Sequence, residues 1–396
     1  MKAKILIAIL LTMWSFAIYG QSKKPMLVEY DEIKSGAEQL DSYLNLLQNK
    51  NIAVVANPSS LVGNIHLVDT LLSQNIKISK IFCPEHGFRG TAEAGKLIKD
   101  NVDPNTNVPI ISLYGSHKKP TIADLENIDI VLFDLQDVGT RFYTYISTLT
   151  YVMEACAENN VPIIVLDRPN PNGYFIDGPV LEEEYSSFVG LHPVPVVYGM
   201  TIGEYAMMVA GEHWINKANN INLEVIPLSG WNHNMIIKLK TKPSPNLPNW
   251  QSVYLYPSIC FFEGTIMSAG RGTEFPFQVF GHPEYMSGSF IFTPRSNEGA
   301  TNPKYKDQQC YGININVTEE NFRGLPAQIN LFWLITSYNI MNNKKDFFSN
   351  YFEKLAGTAM LREQIISGVK ENKIRKSWQP KINKFKKIRS KYLLYE

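Results

Sequence analysis

At 396 residues the chain exceeds the roughly 150 residues of a typical domain, so about two domains are expected. A composition of 44% hydrophobic, 19% charged and 12% aromatic residues is that of an ordinary globular protein and excludes extensive disorder. Thirty-eight Lys and Arg against 37 Asp and Glu leave a net charge of +1, which removes the electrostatic basis for binding nucleic acid.

In chain order, Lys2 and Lys4 precede an apolar stretch over 5–17 that is too short to span a bilayer and has the form of a secretory leader. Residues 1–22 are read as a signal peptide cleaved near Gly20, which puts the mature protein in the periplasm or outside the cell. From 51 to 167, β-branched runs at 52–56, 78–82, 108–113, 130–133 and 161–166 alternate with helix-like stretches at 67–74, 122–126 and 142–158. That alternation predicts βαβ units and an α/β fold with an open, Rossmann-like parallel sheet. The carboxyl ends of parallel strands share one edge, so the polar and Gly/Pro-bearing loops that follow them surround one crevice, where such sheets bind ligands. No G-x-G-x-x-G or G-x-x-x-x-G-K-[ST] occurs, so no nucleotide cofactor is expected.

A proline-rich passage at 191–195 suggests a boundary near 190, separating a sheet domain (23–190) from a second one (191–396). The second contains a helix-like run at 202–214, a strand-like run at 223–227 and glycine-rich segments holding Glu263, Arg271 and Glu274. Residues 370–391 carry ten Lys/Arg and one acid, interleaved with Ile374, Trp378, Ile382 and Phe385, which reads as an amphipathic helix with a solvated basic face. Cys83, Cys156, Cys260 and Cys310 stand far apart and are expected to be buried free thiols.

The strand-end loops carry the chemistry. Glu85, after the second run, is the candidate general acid, because a carboxyl in a partly dry cleft is held toward its protonated form; alternatively it pairs with Arg89 or caps the next segment. Asp134, Asp137 and Arg141 occupy the neighbouring loop as a second carboxylate or an ion pair, and Asn170 lies in the loop after 161–166. A Glu from the second domain facing Glu85 would meet the two-carboxylate requirement of glycoside hydrolysis. A metal site built from His86, Asp134, Asp137 and His282 lacks compact ligand spacing, so no metal is expected. No G-x-S-x-G elbow follows any strand.

Several stretches in one order closely resemble the NamZ-type exo-β-N-acetylmuramidases. They are Pro84-Glu85-His86-Gly87-Phe88-Arg89-Gly90, the run from Asp134-Leu135-Gln136-Asp137 to Thr144-Tyr145, and Asp167-Arg168-Pro169-Asn170-Pro171-Asn172-Gly173. Glu263-Gly264-Thr265 with Gly270-Arg271-Gly272-Thr273-Glu274-Phe275-Pro276-Phe277, and the end from Arg389 to Tyr395, complete the set. The resemblance implies an enzyme that removes terminal N-acetylmuramic acid from the non-reducing end of peptidoglycan fragments. It further implies a smaller α+β auxiliary domain beside the Rossmann-like one, with the active site in the cleft between them. The family's catalytic Glu falls on Glu85, and Glu274 fits its second carboxylate, with Asp134 and Asp137 as rivals. His86, Arg89, Arg141, Asn170, Arg271 and His282 join those aspartates as substrate-binding candidates, Arg271 first among the arginines for the lactyl carboxylate. Competing readings are a non-catalytic periplasmic muropeptide-binding protein and a metal-dependent esterase or deacetylase of cell-wall sugars.

Overall fold

The structure, a computed structural model, describes residues 25–85, 87–89, 101–322 and 326–396; the expected leader lies outside the described residues. Its largest element is a seven-stranded sheet of β1 (Asn51–Ala56), β2 (Lys77–Cys83), β3 (Asn101–Val102), β4 (Pro109–Ser112), β5 (Ile130–Asp134), β6 (Ile163–Leu166) and β7 (Leu223–Ile226). The order is β7-β6-β5-β1-β2-β4-β3, and every pairing is parallel except that of the edge strand β3 with β4. All five expected strands are present.

Strand alternation divides the core in two. Ile52, Val54, Ile81, Leu132 and Ile164 point to one face and pack with Leu67, Val68 and Leu71 of α1 (Leu67–Ser73). Their neighbours Ala53, Val55, Phe82, Val131, Phe133 and Ile163 point to the other, against α2 (Tyr145–Asn159) and α3 (Ile202–Gly211). Burial on both faces is why the central strands are almost continuously apolar. The helix expected over 122–126 is a run of turns instead. There the Asp124 carboxylate accepts from Thr121 N and Oγ1 (both 2.7 Å), and such local bonds compete with helical ones.

The boundary expected near 190 is corrected by the sheet itself. β7 pairs with β6 from Leu223↔Ile163 to Ile226↔Leu166, with α3 as the crossover, so a βαβ unit runs through the supposed boundary. The proline-rich passage leads into Pro195–Val197, which pairs antiparallel with Asp177–Val180 as an insertion. The sheet domain therefore extends at least to Ile226.

Beyond it, α4 (Trp250–Ile259) leads to a three-stranded antiparallel sheet of β8 (Val279–His282), β9 (Phe290–Phe292) and β10 (Cys310–Asn314), with β10 central. The basic segment is α5 (Glu371–Arg389), which buries Ile374, Trp378, Ile382 and Phe385 and turns Lys373, Lys376 and Lys384 outward, as the spacing predicts. One apolar cluster contains Phe133 of the sheet, Tyr256 and Phe261 of the second part, and Trp378 of α5, so the two halves share a core. All four cysteines are buried thiols outside any disulfide.

The segment after α5 returns to the sheet. The Tyr395 hydroxyl donates to Asp167 Oδ2 (2.6 Å) and accepts from Leu228 N (2.7 Å), and Leu394 N donates to Glu204 Oε1 (2.9 Å). Tyr395→Phe strips a buried carboxylate and a backbone N–H of this partner, and is expected to destabilise the fold by about 1–3 kcal/mol, read as a lowered urea midpoint at unchanged slope.

Candidate active site

Strands β1, β2 and β4 progress to one side of the sheet and β5, β6 and β7 to the other, so the chain reverses direction between β1 and β5, the place where doubly wound sheets leave a crevice. A cavity of about 180 Å³ opens beside it. The sheet side contributes Glu85 after β2, Tyr114 after β4, and Phe142, Tyr143, Thr144 and Tyr145 after β5. The second half contributes Tyr256, Cys260, Glu263, Arg271, Phe277 and Tyr351.

Glu85 is held by its own loop. Gly87 N closes a turn on Pro84 O (3.2 Å), Phe88 packs edge-on to His66 at 4.6 Å, and Arg89 is anchored outside the cavity, which leaves Glu85 at the projecting position. Thr144 Oγ1 approaches Glu85 Oε2 at 3.4 Å, and Tyr145 Oη approaches its carbonyl at 3.4 Å while accepting from Asn57 Nδ2 (2.8 Å). Burial raises the Tyr114 pKa, and the neighbouring Glu85 carboxylate, to which it is hydrogen-bonded, raises it further.

The second half brings an ion pair to the same lining, Arg271 Nε to Glu263 Oε2 at 3.1 Å, both side chains about a quarter exposed (26% and 25%). The guanidinium lies 5.2 Å from the centre of the Phe277 ring. Burial works against its charge, but Glu263 keeps the Arg271 pKa above its usual value. Gly270 and Gly272 flank it at φ 78° and 79°, and a Cβ on either would lie within 2.8 Å of its surroundings (2.7 Å from Val279, 2.5 Å from Pro303). That backbone is open only to glycine and fixes where Arg271 emerges. The Cys260 thiol is pushed up by burial and hydrogen-bonds Tyr256.

Several sequence candidates stand elsewhere. Glu274 is exposed and outside the cavity wall, which holds Glu263 as its second carboxylate. Arg89 grips Asp69 (2.6 and 2.8 Å) and Asp103 (2.8 and 3.0 Å), so its fork is already filled by carboxylates. Asp134 is buried against Arg168 at 2.5 and 2.9 Å. Arg141 donates to Pro179 O (2.9 Å), Val194 O (2.8 Å) and Leu355 O (2.9 Å), and Asn170 to Met200 O (2.7 Å), both within the fold. His282 closes β8, accepts from Glu284 N (3.0 Å) and packs on Tyr305. His86 lies outside the described residues. Asp137 is buried, accepting from Gly139 N (2.6 Å) and the Tyr198 hydroxyl, with Oδ1 unpaired. Sequence reasoning did not single out Tyr351, Phe188 and Asn246, which reach the cavity from segments without a motif.

A doubly wound sheet whose strand-end loops meet a second part over a cavity with two carboxylates, an arginine and aromatic walls has the make-up of a glycoside hydrolase site. The family follows from the comparisons. The N-terminal domain of exo-beta-N-acetylmuramidase NamZ matches residues 52–251 and its C-terminal domain 254–395, and the chain belongs to this family. It is 37% identical to the peptidoglycan beta-N-acetylmuramidase NamZ of Bacillus subtilis (strain 168), over 94% of this chain and 92% of that one. Two crystal structures of DUF1343 family proteins from Bacteroides fragilis NCTC 9343 resemble it, each over 92% of this chain and 99% of theirs. One is 44% identical with a TM-score of 0.85, the other 29% with 0.79.

The burial of Asp137 carries a pH signature, since its pKa is pushed up to about 7. Between the unfolded value of about 4 and about 7 the native carboxyl keeps a proton that the unfolded chain has lost, so stability falls as pH rises through that window and levels off above it. Asp137→Asn, which resembles the protonated form, is expected to shallow that fall by up to about 1.4 kcal/mol per pH unit, measured by denaturation at pH 5, 6 and 7.

Proposed function

We propose that the protein is an exo-acting β-N-acetylmuramidase, a glycoside hydrolase that removes N-acetylmuramic acid from the non-reducing end of peptidoglycan fragments. The observation that carries this reading is the meeting, in the lining of one cavity, of Glu85 from the sheet side and the Glu263–Arg271 pair from the second half. Glu85 acts as general acid, donating its proton to the glycosidic oxygen as the bond to the anomeric carbon breaks; water adds to that carbon in place of the leaving sugar, and the proton it sheds replaces the one Glu85 gave up. Arg271 receives the lactyl carboxylate that distinguishes N-acetylmuramic acid from N-acetylglucosamine, since its planar fork matches a carboxylate. Glu263 is the second carboxylate, holding Arg271 and opposing the positive charge that develops on the sugar ring. Tyr143, Tyr145 and Tyr256 supply aromatic faces for the ring.

General acid catalysis contributes about 10²- to 10⁴-fold, so Glu85→Gln is expected to lose at least that much kcat on a natural disaccharide. A chromogenic muramide whose phenol leaves without protonation is expected to lose far less. Equal impairment on both substrates, or little on either, places the acid elsewhere.

The reading extends to location. Lys2, Lys4 and the apolar stretch over 5–17 direct export, and the place of work is the periplasm or the cell exterior. Protein recovered from the periplasmic fraction is expected to begin near Gln21 or Ser22 on N-terminal sequencing; a soluble cytoplasmic form that retains Met1 contradicts it.

A further inference from the structure

Glu263 and Arg271 sit at the two ends of one short segment, and three consecutive carbonyls of that segment are held from a single neighbouring loop. Lys304 Nζ donates to Thr265 O (2.5 Å) and Met267 O (3.0 Å), and the Tyr305 hydroxyl donates to Ile266 O between them (2.6 Å). His282 packs edge-on to the Tyr305 ring at 4.8 Å, and Pro303 of the same loop lies against Gly272. Thr265 and Met267 are buried, whereas Lys304 as a residue is exposed. Its stem therefore crosses the surface and its ammonium turns inward, the reverse of the usual lysine, which keeps its charge in water. Both acceptors are neutral carbonyls, so they do not cancel that charge. Its field reaches Glu263 and Arg271, and burial holds the ammonium below its usual pKa.

The charges of the proposed subsite require such a group. Arg271 is already paired with Glu263. A substrate carboxylate arriving at the same guanidinium sets two negative charges against one positive, and like charges crowded in a partly dry site repel. A second fixed cation restores the balance. We infer that Lys304 is that cation, a positioning residue that braces the Glu263–Arg271 segment and offsets the muramyl carboxylate without touching the sugar. This rests on the reading of Arg271 as the carboxylate receptor.

The test compares two probes as competitive inhibitors of muramide hydrolysis: free N-acetylmuramic acid and its lactyl amide, which is nearly the same shape without the charge. Lys304→Met is expected to weaken inhibition by the acid about tenfold while leaving the amide within about twofold, and Lys304→Arg to restore the preference for the acid. A Lys304→Met enzyme that keeps the preference while Arg271→Met loses it overturns the role of Lys304 and leaves the reading of Arg271 standing. Equal weakening toward acid and amide, unrepaired by Lys304→Arg, reduces Lys304 to a loop brace and also overturns the inference. If Arg271→Met itself keeps the preference, the carboxylate receptor lies elsewhere, and both readings fall together.

Discussion

The guanidinium of Arg141 is wholly buried, and its hydrogen-bond partners are the carbonyls of Pro179, Val194 and Leu355. Taking a cation out of water costs several kcal/mol unless its donors are satisfied, and burial pushes the Arg141 pKa down to about 9. Three carbonyls have to be in place together to offset that cost, and they come from distant parts of the chain. Leu355 belongs to the short helix Tyr351–Ala356, whose carboxyl end is suited to a cation. Tyr351 opens the same helix and lines the cavity. Arg141 therefore fastens one wall of the cavity to the loop that follows β5. Gly190 and Gly357 press against it so closely that a Cβ would stand 3.1 and 2.6 Å from its side chain.

Around that tie the work is divided by origin. The parallel sheet delivers Glu85 through a tight strand-end turn, the kind of position that such sheets supply repeatedly. The second half delivers charge: Glu263, Arg271 and Lys304 emerge from glycine-rich backbone and a bracing loop, with the antiparallel sheet of β8, β9 and β10 behind them. Neither half holds both Glu85 and Arg271.

Much of this was legible in the sequence because parallel strands announce themselves. The five runs between 52 and 166 form strands, and the place of Glu85 follows from strand order alone. The second carboxylate of the cavity wall was not legible, since Glu263 and Glu274 lie in similar glycine-bearing segments and only backbone direction separates them: Glu263 sits in a short 3-10 turn of the cavity wall, while Glu274 sits on an exposed turn. The loop charges were ambiguous for a related reason. Arg89, Asp134 and Arg141 occupy strand-end loops as functional residues do, but each meets a partner from a distant segment: Asp69 and Asp103, Arg168, and the Leu355 carbonyl. Local sequence shows that a charge sits at a strand end, not whether a buried counter-group already claims it. The boundary near 190 failed because prolines mark an inserted hairpin as readily as a linker, and β7 then rejoined the sheet.

The shared core has a consequence for turnover. Parting the two halves would expose apolar surface at roughly 25 cal/mol per Å², a cost that keeps them joined. On the proposed reaction, the released sugar keeps the carboxylate by which it was chosen. The anchor that secures the substrate is thus still engaged after the bond has broken, and the pace of the cycle comes to depend on how readily a guanidinium gives up an anion as well as on how quickly an acid gives up a proton.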